Sequence, residues 1–174
     1  MNKKICVVGA GYWGKNHIKT LDKIGALGSI VDLNENTLKL LHTSYPYANT
    51  YSKIEDALFG NYDGYVIATP AITHFEIAKI LIKARKHVLI EKPMSLSIKD
   101  AEKLVDLSEK NNVNVLVGHV LLFHPAITKI KNLINEGAIG DLQYIYSNRL
   151  NLGKVRTQEN VFWSLAPHDI AIFQ

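Results

Sequence analysis

With 174 residues, 47% of them hydrophobic and 21% charged, the chain holds enough apolar material for one good core and is neither disordered nor fibrous. Its net charge of +4 comes from scattered Lys and Arg without a basic run, which argues against nucleic acid as a partner. No stretch approaches the ~18 apolar residues of a membrane span, and the single Cys6 can form no internal disulfide, so a cytoplasmic protein without a membrane partner is expected.

The first apolar run, Ile5 to Val8, reads as a buried strand and ends in Gly9-Ala10-Gly11-Tyr12-Trp13-Gly14. Glycines in this G-x-G-x-x-G spacing, between a strand and a helix, read as a dinucleotide site. Gly9 allows the tight turn, Gly11 leaves no Cβ facing a pyrophosphate, and Gly14 lets the helix pack closely. Ile18, Leu21 and Ile24 follow at helical spacing, and the phosphates belong at that helix's N-terminal amides. Tyr12 and Trp13, inside the motif, are counted with the cofactor-binding residues. Asp32 ends the next apolar stretch about 20 residues on, where a carboxylate accepts from a ribose 2′-OH. No Arg or Lys follows it at Leu33 or Asn34 to welcome a 2′-phosphate, so the cofactor reading is NAD.

Residues 35–44 place Leu38, Leu40 and Leu41 on a helical face that Tyr45-Pro46 ends, 49–51 form a short strand, and 53–59 a brief helix. Residues 65–68 are a continuous apolar strand, 71–85 a long helix, and 87–90 the next strand. Ser97 and Asp100 open a helix to about Lys110 with Ala101, Leu104, Val105 and Ser108 inward, and 113–117 are again a strand. This alternation predicts an α/β fold, a Rossmann doubly wound parallel sheet over residues 1–120. From 121 to 174 the pattern changes and reads as the start of an α+β open-sheet second domain. Pro125 opens a helix that Gly137 and Gly140 stop, 142–150 alternate as a half-exposed strand, and Pro167 starts an apolar helix.

Ligands of open α/β sheets bind at the carboxyl ends of the strands. The residues to inspect are therefore Thr69, Pro70 and His74, then Glu91, Lys92 and Pro93, then His119, with Arg149, His168 and Asp169 further on. Lys92 precedes a proline, so its backbone is restricted and its ammonium is aimed at the mouth of the sheet. Each residue also fits a plainer role: Lys92 as a loop lysine, His168 as a helix cap, His74 and His119 as packed or capping histidines.

Taken together, the glycine loop, Ala68-Thr69-Pro70-x-x-x-His74, Glu91-Lys92-Pro93 and Ala166-Pro167-His168-Asp169 resemble the glucose-fructose oxidoreductase, inositol dehydrogenase and MocA (Gfo/Idh/MocA) family across the whole chain. The resemblance implies a sugar dehydrogenase whose first domain binds NAD or NADP. It places the role of orienting and helping to deprotonate the reacting hydroxyl on Lys92, and the acid/base role on His168. It adds Thr69, Pro70, His74, Glu91 and Lys92 to the cofactor contacts, and Lys92, His119, Arg149, Arg156 and His168 to the substrate contacts, with no metal. Family members often carry an aspartate four residues before the histidine, where this chain has Ser164. The segment around Phe162 to Ile170 is similar to the nucleotide-sugar branch, resembling UDP-N-acetylglucosamine 3-dehydrogenases, and Arg149 and Arg156 suit a diphosphate. The family also implies a homo-oligomer and a longer second domain, so 121–174 are expected to be a partial one. The rival expectation, favoured by the short chain, is a non-catalytic NAD-binding or redox-sensing module.

Overall fold

The computed structural model describes residues 3–149 and 160–174. They fall into two compact units, one ending at Val117 and one beginning at Gly118.

The first unit alternates strand and helix throughout: β1 (Ile5–Val8), α1 (Tyr12–Lys23), β2 (Leu27–Val31), α2 (Glu35–Ser44), β3 (Asn49–Tyr51), α3 (Ile54–Leu58), β4 (Gly64–Ile67), α4 (Ala71–Lys83), β5 (His87–Ile90), α5 (Ile98–Asn111) and β6 (Val115–Val117). All strand pairs are parallel, in the order β3-β2-β1-β4-β5-β6. The central strands β1 and β4 are apolar and largely buried because both faces are covered, and successive side chains leave on opposite faces. Cys6, Val8, Tyr65, Ile67, Val88 and Ile90 join one core with Ala78, Leu81 and Ile82 of α4 and Leu104 of α5. Val7, Ile30 and Val66 join a second core with Ile18 of α1 and Leu38 of α2. Each fully buried aliphatic side chain contributes about 1.5–3 kcal/mol by leaving water. The order reverses direction between β1 and β4, and ligands of such sheets bind in the crevice at that switch point.

The helix limits follow local chemistry. Asn34 accepts from the Thr37 amide at 3.1 Å to start α2, Ser97 accepts from the Asp100 amide at 3.3 Å to start α5, and Asn112, at φ 52°, ends α5 in the left-handed region. Ile24, Leu40 and Val105, assigned inward by spacing, are exposed. Ile24 lies beyond the last turn of α1, and on α2 and α5 the only fully buried positions are Leu38 and Leu104, so one residue along the helix already faces solvent.

The second unit holds a 3₁₀ turn (Val120–Phe123), α6 (Pro125–Asn135) and α7 (Val161–Phe173). Gly137 and Gly140 follow α6 with φ of 68° and 71°, as its termination requires. Two expectations fail here. Residues 142–149 form no strand: their alternation sets two faces, but no described strand in the unit supplies the backbone partners that make a ladder. Leu150 and residues 151–159, Arg156 included, lie outside the described residues. Pro167 does not start α7 but sits inside it. The start is at Val161, where the Asn160 side chain accepts from the Trp163 amide at 3.1 Å, a stronger signal than proline's preference for a first turn. Among the described residues after Gly118, none is buried.

Candidate functional site

The glycine loop leaves β1 at the switch point. Gly9 has φ 92°, and a Cβ there would lie 2.8 Å from the Thr69 side chain and 2.9 Å from the Ala68 carbonyl, the turn that follows the neighbouring β4. A Cβ on Gly14 would fall 1.8 Å from the Gly9 carbonyl oxygen, so what this glycine permits is the closeness of α1 to the loop itself. A Cβ on Gly11 would meet nothing within 4 Å. That open cradle lies at the start of α1, where Gly11 is the N-cap and no side chain caps the helix, leaving its first amides for an anionic ligand. Tyr12 and Trp13 pack edge-to-face there at 6.0 Å between ring centroids.

Asp32 stands at the end of β2, and its carboxylate is already tied to the loop. Oδ2 accepts the Ala10 amide at 2.7 Å and Oδ1 accepts the Asn34 amide at 2.8 Å. A carboxylate has about four lone-pair positions, so two remain for ribose hydroxyls. A cleft of about 470 Å³ adjoins it, lined by Gly9, Gly11, Asp32, Lys53, Thr69 and Ile77 among others. The open cradle, the uncapped helix and the acceptor beside an apolar-walled cleft fit the phosphate, ribose and adenine parts of a dinucleotide. Ser52, Lys53 and Glu55, which sequence reasoning passed over, also line this cleft, because β3 ends there as the other strands do. The rule that ligands lie beyond strand ends would have found them. A larger depression of about 680 Å³ between α4 and α5 is lined only by helical residues, none of which follows a strand, and two of its ion pairs close on themselves, Lys79–Glu76 and Lys103–Asp100.

Next along the same edge, β5 delivers Glu91, Lys92 and Pro93, with the Lys92–Pro93 peptide in the cis form. Glu91 is buried, its amide donating to the Ile67 carbonyl at 2.9 Å. Its Oε1 accepts from His17 Nε2 of α1 at 2.6 Å, and Oε2 accepts the Lys92 amide at 3.3 Å. His74, expected among the cofactor contacts, is 1% exposed, with Nδ1 2.8 Å from the Pro93 carbonyl and Nε2 2.9 Å from the Thr69 carbonyl. Both nitrogens are engaged by backbone, so its part is to fasten the Thr69 turn to the Glu91–Pro93 loop. Thr73 adds to this, its hydroxyl 2.7 Å from both the Thr69 hydroxyl and the Pro70 carbonyl. His17 was missed by sequence reasoning. The available signal was a polar residue on the inner side of the glycine-loop helix, three positions after Gly14.

In the second unit, His168 lies half-buried on α7, one turn after Ser164, and His119 precedes the 3₁₀ turn. Arg149, expected to face a diphosphate, is paired with Asp169: Nε donates to Oδ2 at 2.9 Å and Nη2 to Oδ1 at 2.8 Å, with the Ser147 hydroxyl adding a bond to Oδ1 at 3.0 Å. This two-pronged bond holds the Asp169 carboxyl below its usual range and raises the guanidinium in turn. Its effect is to pin residues 147–149 to α7 beside His168. No cluster of metal ligands and no helix long and apolar enough to cross a membrane occurs among the described residues.

Comparison with known proteins bears on this geometry. The model of the oxidoreductase family with NAD-binding Rossmann fold, Gfo/Idh/MocA, matches residues 3–119. The UDP-N-acetylglucosamine 3-dehydrogenase of Acidithiobacillus ferrooxidans is 29% identical over 170 residues, covering 94% of this chain and 51% of the relative. The WlbA dehydrogenase of Bordetella pertussis, solved with NADH and UDP-GlcNAcA, aligns with a TM-score of 0.74 at 29% identity, over 79% of this chain and 44% of the other. The scyllo-inositol dehydrogenase of Lactobacillus casei, solved with NAD(H) and scyllo-inositol, aligns with a TM-score of 0.77 at 25% identity, over 81% and 43%. The chain thus spans about half the length of the relatives it matches. Since the glycine loop, Asp32, the cleft and the Glu91–Pro93 loop all lie inside the matched residues, the chain belongs to the Gfo/Idh/MocA oxidoreductase family, and its dinucleotide is NAD.

Proposed function

We propose that this chain is the cofactor-binding part of a dehydrogenase that oxidises a secondary hydroxyl of a sugar, with a nucleotide sugar such as UDP-N-acetylglucosamine, at C3, as the preferred substrate. Residues 1–120 hold NAD, and 121–174 open the substrate domain. The observation that carries the reading is Lys92, half-buried at the end of β5 on the same sheet edge as the glycine loop, in a loop fastened from both sides. NAD, when bound, supplies the hydride acceptor. The chain's own task is to orient the hydroxyl and take its proton. Lys92 holds the hydroxyl, and His168 carries the proton away as acid/base, with His119 and Arg156 as further substrate contacts. The relative named for UDP-N-acetylglucosamine and the WlbA complex support the nucleotide-sugar choice. In this reading the enzyme works as a homo-oligomer in the cytoplasm; the single buried thiol of Cys6 suits a reducing compartment, and light scattering tests the assembly.

The test is NADH production with UDP-N-acetylglucosamine and with inositol, for the wild type and for Lys92→Ala. Positioned acid–base groups contribute about 10²- to 10⁴-fold, so turnover should fall by that much while NAD binding stays nearly intact. Wild-type turnover in the variant, or NAD binding without oxidation of any sugar, would refute the proposal.

A further inference from the structure

Lys92 lies between two residues that are each held by a histidine from a different helix. On its C-terminal side, His74 of α4 engages the Pro93 carbonyl at 2.8 Å. On its N-terminal side, His17 of α1 donates to Oε1 of Glu91 at 2.6 Å, and the second oxygen of that carboxylate accepts the Lys92 amide at 3.3 Å. Glu91 is only 8% exposed, so its charge has lost most of its water and depends on the protein for partners. The partner it has comes from the helix whose first amides are left uncapped beside the glycine loop, 74 positions away in the chain.

We infer that His17 is a positioning residue for Lys92: from the phosphate-binding helix it fixes the Glu91 carboxylate, and through it the backbone from which Lys92 projects. The helix that takes the cofactor and the loop that presents the lysine are thereby tied into one body. This rests on the proposed role of Lys92 and assigns His17 and Glu91 the work of aiming it. Neither group touches the reacting atoms. A planar ring without an N–H fills the space but leaves the buried carboxylate free to turn towards water, and the Lys92 amide loses its acceptor with it.

The experiment compares His17→Phe, which keeps an aromatic ring and removes the donor, with Glu91→Gln, which keeps the shape and removes the charge, and with His17→Gln, which restores a side-chain N–H. Reductive methylation of the whole chain, followed by mass spectrometry, reads the labelling rate of Lys92 against exposed Lys15 of α1, with the unfolding midpoint measured alongside. Loss of a charge-assisted hydrogen bond should speed labelling of Lys92 by about tenfold in His17→Phe and Glu91→Gln, with Lys15 unchanged and His17→Gln in between. Lys92 labelling within about twofold of wild type in the folded variants overturns the inference, and so does an equal rise at Lys15, which marks general loosening. Should His17→Phe fail to fold, Glu91→Gln carries the same test from the other side of the bond. Labelling needs no sugar and no turnover, so its outcome is separate from that of the proposed activity.

Discussion

Replacing Asp32 with alanine removes the side-chain acceptor of two backbone amides and the proposed ribose acceptor at one stroke. The amides of Ala10 and Asn34, now 2.7 and 2.8 Å from the carboxylate, would turn to water. A hydrogen bond to a charged group is worth about 1.5–3 kcal/mol; at this half-buried position water recovers part, leaving about 1 kcal/mol each. For a unit of this size that lowers the melting midpoint by about 6–10 °C. The cofactor loses a charge-assisted contact that nothing nearby replaces, so NAD affinity should fall by about 10- to 100-fold. NADP should lose less, because the carboxylate that repels a 2′-phosphate has gone, and the preference for NAD narrows. Calorimetric titration of both cofactors, with scanning calorimetry of the free protein, reads all three effects. NAD affinity within about threefold of wild type, or NADP affinity falling as steeply, would refute the assignment of Asp32 to the ribose.

Gly11→Ala and Gly14→Ala should separate binding from folding: the first adds a Cβ into open space, so the midpoint holds while NAD binding falls by at least about tenfold, whereas the second collides with the Gly9 carbonyl and lowers both. Titration with a thermal melt checks the pair, and wild-type NAD binding by Gly14→Ala would count against the loop geometry. Because Asp169 titrates below the usual carboxyl value when folded, its bond to Arg149 contributes fully above the unfolded value of about 3.9 and is lost as pH falls through the folded one. The stability gap between wild type and Arg149→Gln, followed by circular dichroism, should be constant from about pH 7 to 5 and close below about pH 4; closure at neutral pH would point to another group. Burial pushes the Cys6 thiol up to about 12, so an aromatic disulfide reagent should label it only after denaturation, and rapid labelling of the native chain would contradict its place in the core.

The first unit was largely legible because its central strands are buried on both faces and so appear as apolar runs, and because Gly9, Asp32, Thr69 and Glu91 each sit directly after such a run. The sequence does not display contacts made by closing the sheet. His17 and Glu91 meet only when β1 and β5 are laid on either side of β4, and neither residue looks unusual in its own segment. The partner of Arg149 was hidden for the same reason: nothing in its own segment points to Asp169, 20 positions on. In the second unit the reading leaned on local preferences, a proline and an alternation, and these yield when a capping asparagine competes or when no strand among the described residues pairs with the segment.

The sheet is bounded by its two shortest strands, β3 and β6, with three residues each. Margins this brief expose few unpaired backbone groups and make poor templates for another chain's strand. Self-association in concentrated preparations should therefore arise from the apolar side chains that the second unit leaves in water, Tyr144 and Phe162 among them, and polar substitutions at those positions are where handling of the protein would be improved.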